Sequence, residues 1–288
     1  MQQVIQTCRL CNLDDDRIVP ILEAVGANLN CVSLNEAPPV MATQLQKIVT
    51  TMLGTSDPLK QVKRESNAAA TLYRDAALNI VAESDDRLRA AIQVAIAGNI
   101  IDYGAIHDLN VEAELSRIMA QEQVSLSHQQ SRLFAYQELR EALANSGTLL
   151  YIGDNAGEII FDRILIQTIR DLYPELQITF AVRGEPIFND ILVEDAVWAG
   201  IDTLAEVISS GVNSPGLILD YATEEFREVF HASDLIISKG QGNLEGLYDA
   251  PGPIYFLLVA KCEPIARMLG CSVRDILLIQ QTLMRNHL

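Results

Sequence analysis

Two adjacent side chains with oxygen donors, Asp154 and Asn155, follow an apolar stretch and are bracketed by Gly153 and Gly157. The stretch, Thr148–Ile152, is rich in β-prone residues, which is typical of a strand buried on both faces. The glycines indicate a sharp turn or a close approach of the backbone to a ligand. Because carboxylate and amide oxygens suit magnesium or manganese better than zinc, the pattern favours a hard-cation site at the end of a strand. The alternative is an Asx turn that caps a helix.

A second group of oxygen donors lies in the loop Arg183–Asp190, directly after the predicted strand Gln177–Val182. The carboxyl ends of parallel strands meet at one edge of a sheet, where open α/β folds bind ligands. If the two strands are neighbours, Asp190 can reach a cation held by Asp154. The alternative is a plain glycine-proline turn whose last residues cap the next helix.

A third loop, Ser238–Gly246, contains two glycines, Gly240 and Gly242, and begins beside Lys239. Exposed backbone N–H groups can wrap phosphate oxygens, and a lysine can add a point charge. The loop is neither a Walker loop nor a dinucleotide fingerprint, since Glu245 stands where the third glycine would be. The alternative is an ordinary glycine turn.

Lys261 follows a fourth predicted strand, Ile254–Val259, and has the reach to pair with a bound phosphate. Taken alone, it can equally be a surface lysine whose stem covers apolar surface. Four loops with cation ligands or phosphate donors at one edge are more specific than any single loop. The helix predicted after Gly157 also points its N–H groups at this edge, which suits an anion. The pattern therefore predicts a combined metal and phosphate site.

The cysteines are less informative. Cys8 and Cys11 form a CxxC pair without a second CxxC or a histidine pair, so no complete zinc site is specified. Cys31, Cys262 and Cys271 can join this pair only through the fold. We interpret all of them as buried thiols, with a redox or metal role as the alternative. The four histidines are scattered and never stand at ligand spacing.

Strands and helices alternate after residue 146, which predicts an α/β fold with a mainly parallel sheet and right-handed crossovers. The predicted strands are Thr148–Gly153, Gln177–Val182, Leu235–Ser238, Ile254–Val259 and, less clearly marked, Asp275–Ile279. The predicted helices are Gly157–Leu172, Thr223–Phe230 and Pro264–Leu269.

The first half lacks strand signals and predicts a helical bundle or cap. A capping side chain followed by proline, Asp57-Pro58, predicts the start of a helix that runs to about Ala82 and buries a stripe including Leu72. The other predicted helices run from about 14 to 26, 40 to 53, 85 to 98, 111 to 121 and 132 to 145. The predicted division is a helical part over residues 1–146 and an α/β core over 147–288, with one integrated domain as the alternative.

The chain of 288 residues is 49% hydrophobic and can bury a sizeable core. A formal charge of −17 argues against nucleic acid or an anionic membrane as partner. It is compatible with a small phosphorylated metabolite, because a bound divalent cation reverses the local field. The odd number of cysteines, the lack of a membrane-length apolar run and the lack of a signal-like first segment lead us to expect a cytoplasmic protein. The oligomeric state stays open.

Taken together, the motifs resemble those of the damage-control phosphatase family, once catalogued as domain of unknown function 89. The resemblance covers nearly the whole chain and rests on the runs 153–158, 186–190, 238–243 and 261–262. The CxxC pair, the Asp57-Pro58 start and the run from Gly98 through Asn99 to Asp102 resemble its prokaryotic branch. The family implies a three-layer α/β/α sandwich, Rossmann-like, with a helical amino-terminal part, and metal-dependent hydrolysis of phosphate monoesters such as sugar phosphates or damaged phosphometabolites.

The resemblance also implies roles for single residues. The family's metal ligands fall on Asp154, Asn155 and Asp190, and its phosphate-contacting lysine falls on Lys261. Lys239 and Asn243 match its glycine loop, together with Gly240 and Gly242. The cation can be magnesium, manganese, cobalt or nickel.

The nucleophile stays open at this point. Asp154 can form an aspartyl-phosphate, but Ala156 stands where haloacid-dehalogenase-type enzymes carry a second aspartate. We therefore favour a metal-positioned water, with Glu158 or Asp190 as base. Two other functions remain as alternatives: an S-adenosylmethionine-dependent methyltransferase, and a non-catalytic metal or redox sensor built on the CxxC pair.

Overall fold

The computed structural model describes residues 2–29, 36–98 and 133–285. The strands are β1 (Thr148–Ile152), β2 (Gln177–Val182), β3 (Glu206–Ser209), β4 (Leu235–Lys239), β5 (Ile254–Val259) and β6 (Ile276–Gln280). The helices of the first half are α1 (Gln2–Leu10), α2 (Asp15–Ala27), α3 (Pro38–Leu53), α4 (Lys60–Thr71), α5 (Arg74–Glu83), α6 (Arg87–Gly98) and α7 (Tyr136–Asn145). Those of the second half are α8 (Glu158–Leu172), α9 (Val193–Trp198), α10 (Glu224–Ala232), α11 (Gln241–Leu247), α12 (Glu263–Leu269) and α13 (Gln281–Arg285).

The six strands form one sheet in the order β3-β2-β1-β4-β5-β6. All neighbouring pairs are parallel except β5 and β6, which are antiparallel. The predicted mainly parallel sheet is therefore confirmed. The pattern missed the edge strand β3, whose residues are half-buried or exposed and carry little hydrophobic signal. The strand predicted at Asp275–Ile279 lies one residue later along the chain, as β6.

The sheet separates two apolar cores, which confirms the sandwich. Successive side chains of a strand point to opposite faces. Accordingly, Leu149 and Tyr151 of β1 lie in one core with α4 to α8, whereas Leu150 and Ile152 lie in the other core with α10 to α13. Helices on both faces explain why the strands read as continuous apolar runs.

Helices α1 to α3 have a small apolar core of their own, which includes Ile18, Val25 and Val49. The later helices of the first half, α4 to α7, share the core of the sheet instead. The domain division after residue 146 stays a prediction. In the described residues, no helix is both long and apolar enough to cross a membrane.

The prediction of a single helix from Asp57-Pro58 to Ala82 is wrong. The helix is interrupted at Leu72 and Tyr73, so that two shorter helices, α4 and α5, cover this stretch. Leu72, which the pattern assigned to the buried stripe, is 80% exposed. The buried stripe of α4 includes Lys63, whose ammonium pairs with Asp57 at 2.8 Å, and the hydrophobic periodicity does not detect buried polar residues.

Several predicted features lie outside the described residues. They are Asn99, Asp102, the helix from 111 to 121, Cys31, three of the four histidines and the first residue of the helix predicted from 132 to 145, of which α7 is described.

Asn67 of α4 connects the helical half to the start of α8. Its Oδ1 accepts a hydrogen bond from the N–H of Gly157 at 2.6 Å, and its Nδ2 donates to Asp195 Oδ1 at 3.2 Å. Gly157 stands at φ +84° immediately before α8, where the first N–H groups of a helix have no intrahelical partner. Asn67 is 2% exposed, so this tie is made out of contact with water.

We expect Asn67→Ala to lower the free energy of unfolding by about 1–3 kcal/mol, because a buried N–H and a buried carboxylate each lose a partner. Urea unfolding measures this change. Asn145→Ala is the matched control, since Asn145 makes its bond, to the carbonyl of Glu141, at the surface; it should change the same quantity by less than about 0.5 kcal/mol. Equal effects of the two substitutions would contradict a structural role for Asn67.

Candidate active site

The candidate site lies where the order of the strands reverses, between β1 and β4. Open α/β sheets bind ligands in the crevice beyond the carboxyl ends of their strands at such a switch point. The loops that follow β1, β2, β4 and β5 all begin at this edge of the sheet. The structure thus places the four chemistry-bearing loops of the sequence side by side.

Backbone hydrogen bonds join the loop after β1 to the loop after β2. The N–H of Ala156 donates to the carbonyl of Asn189 at 2.9 Å, and the N–H of Ile191 donates to the carbonyl of Asp154 at 3.0 Å. Asn155 and Asp190 are therefore paired as in a short antiparallel ladder. The three predicted metal ligands are brought together by main-chain geometry.

Arg183, the first residue after β2, ties the carboxylates into one cluster. Its Nε donates to Asp190 Oδ2 at 2.7 Å, and its Nη2 lies 3.4 Å from Asp154 Oδ1. The same Nη2 donates to Asn243 Oδ1 at 2.8 Å. Arg183 is 2% exposed. The sequence assigned it no role, although a guanidinium that directly follows an apolar buried strand is a recognisable signal.

Burial and repulsion disfavour the charged forms of the two aspartates. Burial, followed by the charges of Asp190 and Glu158, raises the pKa of Asp154 well above its usual range. Burial also raises the pKa of Asp190 to about 6, although Arg183 opposes this shift. Lys261 lowers the pKa of both aspartates, which places its charge near the pair.

Two residues of the glycine loop have roles other than those predicted. The N–H of Gly240, expected to bind phosphate, instead donates to the carbonyl of Leu257 at 3.0 Å. Gly240 has φ +81°, and a Cβ there would collide with the carboxylate of Asp154, so this glycine lets Asp154 pack against the backbone. Asn243 is fully buried; its Nδ2 donates to the carbonyls of Gly153 at 3.2 Å and Lys239 at 2.7 Å. It fastens two loops and is not exposed to substrate.

Lys239 and Glu158 are also turned away from the predicted phosphate site. Both are buried, and the ammonium of Lys239 lies 2.5 Å from Glu158 Oε1 and 2.5 Å from Asp162 Oδ1. It also donates to the carbonyl of Ala95 at 2.8 Å. Burial lowers the pKa of Lys239, but the charges of Asp162 and Glu158 outweigh this effect and raise it. Neither a phosphate contact for Lys239 nor a base role for Glu158 fits this placement.

A cleft of roughly 270 Å³ opens above the paired aspartates. It is lined by Asp154, Asn155, Asp190, Gly242 and Lys261, by the neighbouring residues Phe188, Asn189, Pro215, Gln241 and Glu245, and by Gln3, Pro38, Pro39 and Ala42 of the helical half. The predicted phosphate ligands Gly242 and Lys261 thus share a cleft with the predicted metal ligands. α1 and α3 also contribute to its lining.

Glu245 is a cleft carboxylate to which the sequence gave no role. Its Oε1 accepts a hydrogen bond from Gln241 Nε2 at 2.8 Å, and Gln241 Oε1 accepts from the N–H of Lys261 at 3.1 Å. Burial raises the pKa of Glu245. Gln241 therefore links the loop after β4 to the loop after β5 along one side of the cleft.

A family model for the damage-control phosphatase ARMT1-like domain matches residues 1–277. The chain belongs to this family. This match confirms the family resemblance that was inferred from the sequence motifs.

Relatives of this damage-control phosphatase family include archaeal proteins. An uncharacterized protein of Methanocaldococcus jannaschii is 37% identical over 251 residues, covering 85% of this chain and 80% of its own. A damage-control phosphatase of Archaeoglobus fulgidus is 37% identical over 237 residues, covering 82% of this chain and 80% of its own. A damage-control phosphatase of Pyrococcus horikoshii is 34% identical over 239 residues, covering 82% of this chain and 78% of its own.

The fold is likewise that of a solved member of the family. The crystal structure of a DUF89 family protein from Pyrococcus horikoshii superposes with a TM-score of 0.83 at 29% identity. The match covers 97% of this chain and 95% of that one. The likeness therefore extends over the helical half as well as the sheet.

The residues at the edge of this family's sheet fit a hard cation by their chemistry. Asp154, Asn155 and Asp190 offer carboxylate and amide oxygens, the donors preferred by magnesium and manganese. Among the described residues, no three His, Cys, Asp or Glu side chains are placed to hold a metal, so the amide of Asn155 would be the third protein ligand of a cation bound here. Around this trio, burial and the charges of Asp190 and Glu158 raise the pKa of Asp154. A divalent ion bound there would offset that repulsion.

The CxxC pair lies in the core of α1 to α3. Cys8 is fully buried, and the Sγ of Cys11 lies 3.5 Å from the carbonyl of Pro58. Burial raises the pKa of both thiols. This environment favours the interpretation of buried structural thiols.

We expect Gly240→Ala to weaken binding of Mn²⁺ by at least about tenfold, because the new methyl group displaces the carboxylate of Asp154. Titration calorimetry of the folded variant measures this affinity. Gly26→Ala is the matched control, since a Cβ at Gly26 meets nothing within 4 Å. An affinity unchanged by the first substitution, or lowered equally by both, would remove Gly240 from the site.

Proposed function

We propose that this protein is a metal-dependent phosphatase that hydrolyses small phosphate monoesters. The observation that carries the proposal is the gathering of Asp154, Asn155 and Asp190 at the switch point of the sheet, beside a cleft whose rim carries Lys261. Membership of a phosphatase family and the names of two relatives support the phosphatase part. The oxygen donor set supports the dependence on a metal.

Asp154, Asn155 and Asp190 would hold the cation, which can be magnesium, manganese, cobalt or nickel. When bound, such an ion polarises the phosphoryl group and offsets its developing charge. Lys261, exposed at the end of β5, has the reach to pair with a phosphate oxygen and to hold the group in line for attack. Arg183 keeps both aspartates in place by holding one oxygen of each.

The environment of Asp154 favours water as the nucleophile. Its Oδ1 faces Arg183 at 3.4 Å, its Oδ2 accepts from Asn155 Nδ2 at 2.6 Å, and its carboxylate packs against Gly240. A carboxylate held on both oxygens has little freedom to approach a phosphorus atom. Of the two predicted bases, Asp190 remains at the cleft, whereas Glu158 is paired with Lys239 below it.

The cleft suits a small phosphorylated metabolite. Its size is near the lower end for ligand pockets. Gln3, Pro38, Pro39 and Ala42 also line the cleft. We therefore propose that these residues of the helical half contact the part of the substrate other than the phosphate. Neither alternative function gains support: the trio of oxygen ligands has no use in methyl transfer, and the CxxC thiols are buried away from the cleft.

Metal-stripped protein should lack activity on a generic aryl phosphate and on sugar phosphates, and should regain it when one of the four cations is added. Asp190→Asn should lower kcat/KM by at least about 100-fold because a ligand is lost. Asp202→Asn, on an exposed turn, removes the same charge elsewhere and should leave kcat/KM within about twofold. Activity that persists without metal would contradict the proposal.

Lys261→Met should lower kcat/KM for phosphate esters by about 10²–10³-fold, since one charged donor to the phosphate is lost. Steady-state kinetics at saturating metal measures this change. Lys60→Met is the control, because Lys60 is also exposed and pairs with Glu194 at 3.4 Å, away from the cleft. Equal kinetics of the two variants would exclude Lys261 from phosphate binding.

A further inference from the structure

The side-chain amide of Asn155 is held in one orientation. Its Nδ2 donates to Asp154 Oδ2 at 2.6 Å and to Glu158 Oε2 at 3.4 Å. A carboxylate that pairs with a cation accepts hydrogen bonds and cannot donate them. Glu158, which pairs with Lys239, therefore selects the NH₂ end of the amide, and so would Asp154 once a cation is bound. The Oδ1 of Asn155 is consequently the end left for the cleft, which this residue lines.

Glu158 is itself fixed from below. It is 1% exposed, and its Oε1 lies 2.5 Å from the ammonium of Lys239, which is fully buried. Lys239 is also held by Asp162 and by the carbonyl of Ala95. The hydroxyl of Tyr151 donates to Asp162 Oδ1 at 2.8 Å, which completes the lower layer. Glu158 therefore has one oxygen on a lysine and the other on an amide.

We propose that Glu158, with Lys239 as its counterion, is a positioning residue that turns the carbonyl oxygen of Asn155 toward the cation. It does not act as a base, because it does not reach the cleft. The inference rests on the proposed function in one respect: it requires that a divalent cation binds at Asp154, Asn155 and Asp190.

The physical need for such a device follows from the composition of the site. Two aspartates alone make a poor cage, and the third protein ligand is an amide that can present either end. The NH₂ end would repel a cation, whereas the oxygen binds it. Partners that orient a metal ligand from behind typically contribute 10- to 100-fold in metal affinity.

Asp162 provides the comparison that isolates this effect. It is buried as deeply as Glu158 and pairs with the same ammonium, but it accepts its hydrogen bonds from Lys239 and Tyr151 and not from Asn155. Glu158→Gln and Asp162→Asn therefore each remove one buried negative charge from Lys239. Only the first also changes the acceptor that faces the amide of Asn155.

The experiment is a titration of metal-stripped, folded protein with Mn²⁺, followed by calorimetry and by the electron paramagnetic resonance signal of free Mn²⁺. In Glu158→Gln, the new amide oxygen pairs with Lys239, so the new NH₂ group faces the NH₂ group of Asn155. The two NH₂ groups repel each other, which favours the reversed orientation of the Asn155 amide. We expect the Kd for Mn²⁺ to rise about 10- to 100-fold in Glu158→Gln and by less than about threefold in Asp162→Asn. Urea unfolding records the loss of stability in each variant separately.

A second background tests the same idea. Asn155→Asp replaces the amide by a carboxylate, which presents an oxygen to the cation in either orientation. In that background Glu158→Gln has no amide to orient, so we expect it to change the Kd for Mn²⁺ by less than about threefold.

The outcomes separate this inference from the proposed function. A wild-type protein that binds no divalent cation overturns both. A wild-type protein that binds Mn²⁺, with equal affinities for Glu158→Gln and Asp162→Asn, overturns the positioning role alone. So does a loss of affinity on Glu158→Gln that is as large in the Asn155→Asp background as in the wild-type background. Lower stability with unchanged Mn²⁺ affinity would assign Glu158 a purely structural role.

Discussion

The pairing of buried charges is the constraint on which the rest of this structure depends. Arg183 lies between Asp154 and Asp190, and Lys239 lies between Glu158 and Asp162, with all six groups removed from water. Removing a charge from water costs several kcal/mol unless a partner of opposite charge and good geometry replaces the solvent. Arg183 does so only in part, because burial and the charges of Asp190 and Glu158 still raise the pKa of Asp154. A divalent ion bound there would offset the remaining repulsion.

The backbone satisfies this constraint through the order of its strands. Reversal of the strand order between β1 and β4 opens a crevice, and the loops after β1 and β2 close one side of it by hydrogen bonds between Asp154, Ala156, Asn189 and Ile191. Gly240 allows the third loop to approach the carboxylate of Asp154 more closely than any side chain permits. Asn67 holds the start of α8 from the helical half, so the helices contribute to the geometry of the site and not only to its outer wall.

The overall charge of −17 and an anionic substrate are compatible because the local field differs from the average. Lys261 lies at the rim, and its charge lowers the pKa of both site aspartates. A cation held by the neighbouring aspartates would add to the positive charge of Lys261 in the same cleft. In the role that we propose for Glu158, its ion pair with Lys239 keeps its other carboxylate oxygen facing the amide of Asn155, beside the hydrogen bond from that amide to Asp154.

The sequence by itself determined the strands that carry the site and the oxygen donors that follow them, and it led us to expect a hard cation as their ligand. These features depend on local patterns: apolar runs, glycine turns and residue chemistry. It also led to the family through the order of its motifs.

The tertiary structure decided which of the candidate side chains face the cleft. Lys239 is the clearest case, because β4 extends one residue beyond the predicted end at Ser238. Because side chains alternate along a strand, Lys239 lies on the same face as Leu235 and Ile237, beneath α8. There it pairs with the carboxylates of Glu158 and Asp162. The same holds for Arg183, Asn243 and Glu158. They contact residues far away in the chain, and a local sequence pattern does not reveal such contacts.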